Sequence, residues 1–161
     1  MKVYFENLKI FGDLTYSIVN VSLIPQSGNL QAVKQGIGND RLDTFVWALD
    51  EYYSKRSNLL FNHSSAQNMS ALNEYLDMFN GVDEYCRTVY HINESLVADM
   101  IESGKKAIDT PEGIMGFMNL TYRFWTQKAK YLYAKAKGKN NNEIIKLLDE
   151  FDEKINKLKV S

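Results

Sequence analysis

The side chains able to do chemistry are few and scattered. The two histidines are His63 and His91, and Cys86 is the single cysteine. His91 stands three residues before Glu94, so both could face the same way on a helix, with Cys86 about one turn earlier. A helical di-iron site needs two Glu-x-x-His pairs and two further glutamates, whereas this chain offers one pair in reversed order. The pair reads as an ordinary surface pair, and no metal or cofactor is expected. Cys86 carries no local signature tying it to a histidine, and Ser64 and Ser65 sit in no nucleophile elbow. A buried, inert thiol is the default. Asp50-Glu51 and Asp83-Glu84 are neighbours in sequence, which points each pair to different faces of a helix rather than to one acid–base site. Gly36-Ile37-Gly38 suggests a phosphate loop, but Arg41 stands where a dinucleotide fingerprint has glycine and no Gly-Lys-Ser/Thr follows. The reading is a chain without catalytic residues.

Two patterns remain. Arg56 and His63 are separated by six residues in a mostly helical stretch, a spacing that resembles the Arg-x(4–6)-His motif of HEPN ribonucleases. That resemblance implies an Arg56/His63 pair acting on an RNA phosphate at a dimer interface, and it rests on two residues of a loose motif. The second pattern is the basic run Arg123, Lys128, Lys130, Lys135, Lys137 and Lys139, interleaved with Trp125, Tyr131 and Tyr133. Cations that track phosphates beside aromatics that stack bases would make 123–139 a nucleic-acid surface. On a helical wheel, however, Arg123, Lys130 and Lys137 fall opposite Trp125, so the interleaving is mostly apparent. Arg123, Lys130, Lys137 and Lys139 are better candidates for binding an acidic protein face.

The element that positions this run is the best-delimited helix in the sequence, Thr110 to Gly138. Thr110 can cap it, Pro111 suits the first helical position, Glu112 complements the positive end, and Gly138 can end it in the left-handed conformation. Ile114, Met118, Thr121, Trp125, Ala129, Leu132 and Ala136 recur at helical spacing inside it. Asn142 is expected to cap a last helix whose Ile144, Leu148, Phe151, Ile155 and Leu158 are spaced 4, 3, 4, 3. This is a heptad seam of only two heptads, which fits an ordinary amphipathic packing helix, with self-association as the sharper alternative. Upstream, three helices are expected: one from Asp40 to near Ser57, one from Ser65 to Asn80-Gly81, and one from Asp83 to Gly104 using Cys86, Val89, Tyr90, Leu96, Val97, Met100 and Ile101. The first 24 residues read differently. Lys2–Phe11 and Leu14–Ile24 are rich in Val, Ile, Phe, Tyr and Leu and flank Gly12-Asp13, the pattern of a two-residue hairpin turn.

The expectation is an α+β fold: an N-terminal antiparallel β-hairpin, with Leu30, Ala32 and Val33 a candidate third strand, packed on about five helices. It forms one domain over 1–161, divided into hairpin and loop (1–39) and helical bundle (40–161). With 161 residues and 45% hydrophobic content, the chain suffices for one ordinary core. Its formal net charge of −1 hides an asymmetry: residues 40–112 carry six bases and thirteen acids, and residues 113–142 carry six bases and no acid. One cysteine excludes an intrachain disulfide, and the N-terminus shows no signal-peptide run, so a reducing, cytoplasmic setting with no membrane partner is expected.

A small protein rich in Asn, Lys, Tyr and Phe, with no catalytic constellation, looks like a bacteriophage early protein that acts by binding a host enzyme. In length and style it is similar to the Pin inhibitors of the Lon protease from T-even bacteriophages. The resemblance is of whole-chain size and composition and carries no residue across. It implies a non-enzymatic, homo-oligomeric inhibitor, such as a homodimer, that binds the host ATP-dependent AAA+ protease Lon in the host cytoplasm.

Overall fold

A computed structural model describes residues 2–20, 41–55 and 66–158. Seven α-helices are found among them: α1 (Lys2–Thr15), α2 (Leu42–Lys55), α3 (Ala66–Leu76), α4 (Val82–Tyr85), α5 (Glu94–Gly104), α6 (Pro111–Gly138) and α7 (Asn142–Ile155). A 3-10 turn at Ile18–Asn20 follows α1, and a π-helical turn, Cys86–Tyr90, continues α4. The described residues contain no β-strand, which corrects the expected α+β class to all-α. The chain folds as two compact units: Met1–Ser22 with Thr110–Ser161, and Leu23–Asp109.

The N-terminal hairpin is replaced by a helix for a physical reason. Asn7 and Leu14 are buried seven residues apart on one helical face, and Phe11 between them sets its ring 4.9 Å from that of Trp125. Strand propensity mostly records how a side chain fits a half-buried sheet, so a tertiary partner of this size outweighs it. Gly12, the expected turn, lies exposed within α1, where it costs roughly 1 kcal/mol relative to alanine. Asn20 closes the segment: its Nδ2 donates to the Thr15 carbonyl at 2.8 Å and its Oδ1 accepts from Trp125 Nε1 at 2.8 Å. The proposed third strand lies outside the described residues.

In the same unit, α6 begins as its sequence dictates. Thr110 Oγ1 accepts from the Gly113 N–H at 3.0 Å and Pro111 takes the first turn. Its end differs from expectation. Gly138 is still helical, and the left-handed residue is Asn140 (φ 51°). The Asn141 N–H then reaches back to the Ala136 carbonyl at 2.9 Å, and the Asn140 N–H to Lys137 at 3.1 Å, the paired bonds of a Schellman ending. Asn141, one residue earlier than expected, caps α7 by accepting from the Ile144 N–H at 3.1 Å.

The other unit is built on α2 against α5. Arg41 and Asp43 form its clamp. The guanidinium donates to both Asp43 carboxylate oxygens (Nε 3.0 Å, Nη2 2.6 Å), and also to the carbonyls of Ser103 (2.9 Å) and Lys106 (2.8 Å) at the end of α5. Ser103 Oγ and the Thr44 N–H donate to the same carboxylate at 2.7 and 2.9 Å. The buried charge is thus paired and its lone pairs are used, as a buried carboxylate requires. Gly104 permits this closeness, because a Cβ there would run into the backbone carbonyl of Asp43 and stand 2.9 Å from Trp47 Cβ. The expected continuous helix 83–104 is broken. His91 takes a left-handed conformation (φ 59°) after the π turn, and Asn93 Oδ1 accepts from the Leu96 N–H at 3.0 Å to start α5 afresh. Tyr85 anchors the aromatic cluster beside the break, its ring centroid 5.0 Å from Phe79, 5.6 Å from Tyr90 and 6.2 Å from Tyr75.

Candidate functional site

The surface with the most organised chemistry is the solvent face of α6. Its orientation is fixed from below. Trp125 is 1% exposed and held by Asn20 and Phe11, while Phe124 and Ala129 are buried beside it. With 100° between successive residues, burying these three turns positions 123, 130 and 137 outward, and all three are exposed. Arg123, Lys130 and Lys137 therefore form a ridge with steps of about 10.5 Å at seven-residue spacing. Lys139, exposed, stands at its end.

The aromatic residues near the ridge are already engaged. Lys135 Nζ lies 5.4 Å from the Tyr131 ring centroid and Lys137 Nζ 4.6 Å from that of Tyr133, so each ring carries a cation on its own helix. Trp125 faces the core. The three aromatics that suggested base stacking thus offer no open platform of the kind single-stranded nucleic acids use. Lys128 does not join the ridge. It is buried, its ammonium 5.5 Å from the Phe124 ring centroid, and burial pushes its pKa down to about 8.

The heptad seam of α7 is turned inward. Leu148, Phe151 and Ile155 are buried, Ile144 and Leu158 are half-buried, and α7 packs on α6 and α1 of its own chain. The exposed apolar residue of α7 is Leu147, off that seam and 48% exposed.

Comparison with protein-family models, curated proteins and solved structures finds no match. The functional reading therefore rests on this chain's own surfaces.

The remaining candidates are placed as follows. Arg56 and His63 lie outside the described residues. Glu94 opens α5, where its carboxylate is 3.9 Å from Arg87, and His91 sits on the left-handed turn before it, so the two do not share a helix face. No group of three or more His, Cys, Asp or Glu side chains among the described residues could hold a metal ion. Cys86 is fully buried, and burial, with Asp83 nearby, pushes its thiol up to about 12. Such a thiol is a poor nucleophile at neutral pH. Among the described residues no helix is long and apolar enough to cross a membrane.

Proposed function

We propose that this protein is a non-enzymatic inhibitor that binds a host ATP-dependent AAA+ protease, of the Lon kind, through the basic ridge of α6 and so blocks protein degradation. The observation that supports this reading is the ridge itself: Arg123, Lys130 and Lys137, exposed and in line on a helix anchored by Trp125, with Lys139 beyond. Cations fixed on a rigid element steer encounter with an acidic face and set its register. The reading places the protein in the host cytoplasm. A nucleic-acid target ranks lower, because Tyr131 and Tyr133 carry lysines of their own helix.

The test is casein degradation by purified Lon with the protein titrated in. Degradation should slow, and Arg123→Glu/Lys130→Glu/Lys137→Glu should weaken inhibition by about tenfold or more. Unchanged proteolysis at saturating protein would remove the named target.

A further inference from the structure

The ridge has a matching surface on the same chain, and we infer that Lys130, Ala134 and Lys137 of α6 dock on Glu143, Leu147 and Glu150 of α7 from a second copy. This goes beyond the choice of target: it concerns what covers the ridge when no other partner is present.

All six residues are exposed. Both sets run charge, four residues, small or apolar centre, three residues, charge. Lys130, Ala134 and Lys137 repeat the spacing of Glu143, Leu147 and Glu150, with about 10.5 Å between the charged ends of each set at 1.5 Å per residue. Spacings of 4 and 3 are those by which one helix seats on another. Laid parallel, α6 of one copy and α7 of the next pair Lys130 with Glu143, Lys137 with Glu150, and Leu147 with Ala134. The small alanine leaves room for the one large apolar side chain that α7 turns outward. Laid antiparallel, Leu147 would instead meet Tyr133, whose ring Lys137 already covers. The parallel register is therefore the one with space.

The charges are available for the contact. Among the described residues no ion pair joins Lys130, Lys137, Glu143 or Glu150 to another side chain. On the α7 wheel, Lys146 lies about 50° to one side of the glutamate stripe and Leu147 about 50° to the other. Lys154 lies about 30° from the stripe on the Leu147 side, but in this register it comes opposite position 141, past the end of the facing α6, so over the length of the contact that edge carries acid and apolar surface. Arg123 falls one repeat before the start of the facing α7 and stays outside the contact. Lys130 and Lys137 cannot serve a second copy and another acidic partner at once, so self-association and target binding compete for them.

Sedimentation velocity on the full chain tests the contact at about 50 mM and about 500 mM salt, where screening of exposed charges differs strongly. Wild type should associate at low salt and dissociate at high salt. Lys130→Glu/Lys137→Glu and Glu143→Lys/Glu150→Lys should each raise the dissociation constant about ten- to thirtyfold, while an equimolar mixture of the two should regain association. Leu147→Glu should weaken it independently. All five substituted side chains are exposed, so circular dichroism should show each variant folded. A wild type that stays a single-copy species at low salt, a double variant that associates like wild type, or a mixture that fails to recover would each overturn the inference. Because the Glu143→Lys/Glu150→Lys variant leaves the ridge intact, its behaviour separates self-association from inhibition of a protease.

Discussion

Gly104→Ala is the sharpest test of how α2 and α5 meet. In most exposed helix positions this substitution gains about 1 kcal/mol, because alanine is the better helix former. Here the added Cβ falls on the Asp43 carbonyl, 2.8 Å from its carbon, and 2.9 Å from Trp47 Cβ. The obstacles are backbone and a Cβ, neither of which can swing aside, so the helices must separate. Overpacking of this kind costs about 1–3 kcal/mol. The separation also stretches the clamp at the same place, in which Asp43 is only 1% exposed and depends on Arg41 and Ser103. Losing part of a buried, charge-assisted set adds about 1.5–3 kcal/mol. Set against the propensity gain, the net expectation is a loss of about 1.5–5 kcal/mol. The assay is urea denaturation followed by Trp47 fluorescence, with both proteins carrying Trp125→Phe so that the signal comes from this unit alone. The midpoint should fall with the slope unchanged. Gly116→Ala on exposed α6, where a Cβ meets nothing within 4 Å, is the control and should be neutral or stabilising. A Gly104→Ala protein as stable as its parent would refute the close-approach argument.

Four further outcomes follow from other sites. Arg41→Met should destabilise by about 3–5 kcal/mol in thermal or urea unfolding, since it strands the buried Asp43 carboxylate. Asn140→Gly should raise the melting temperature slightly and Asn140→Val should lower it by about 1 kcal/mol of stability, because the position needs φ 51°. For Lys128 the folded pKa, about 8, lies below the unfolded value, so between about pH 8 and 10 the unfolded chain binds more protons and stability should rise with pH. Lys128→Met should lose that rise, on the order of 1–2 kcal/mol, in urea midpoints taken across the range. Cys86 should react with a disulfide reagent at pH 8 only as fast as the unit opens, and urea below the unfolding midpoint should speed the reaction.

What the sequence made legible was whatever is decided locally. Thr110-Pro111 wrote the start of α6, and the 4–3 spacing from Ile144 to Ile155 wrote the inward face of α7. The exposure of Arg123, Lys130 and Lys137 followed from their wheel positions opposite Trp125. What stayed hidden depends on partners remote in sequence. The aromatic, β-branched run from Lys2 to Ile24 suits a strand by propensity, and the helix over Lys2–Thr15 follows from Phe11 meeting Trp125, which no local pattern contains. The break at His91 hid inside a continuous apolar period, although Asn93 ahead of Glu94 was a readable cap. The seam offered for self-association is consumed by the chain's own core. Leu147, which the seam pattern passes over, is the apolar residue that α7 leaves outside.

The division of the chain also orders its synthesis. Leu23–Asp109 is continuous and can settle as soon as it leaves the ribosome, whereas α1 belongs with Thr110–Ser161, translated after it. Helix α1 emerges ahead of that unit and is kept waiting, its Phe11 uncovered until Trp125 is delivered by a segment more than a hundred residues downstream. Anything that stalls translation before that point leaves a finished inner unit trailing a sticky leader, a species that chaperones or proteases would meet first.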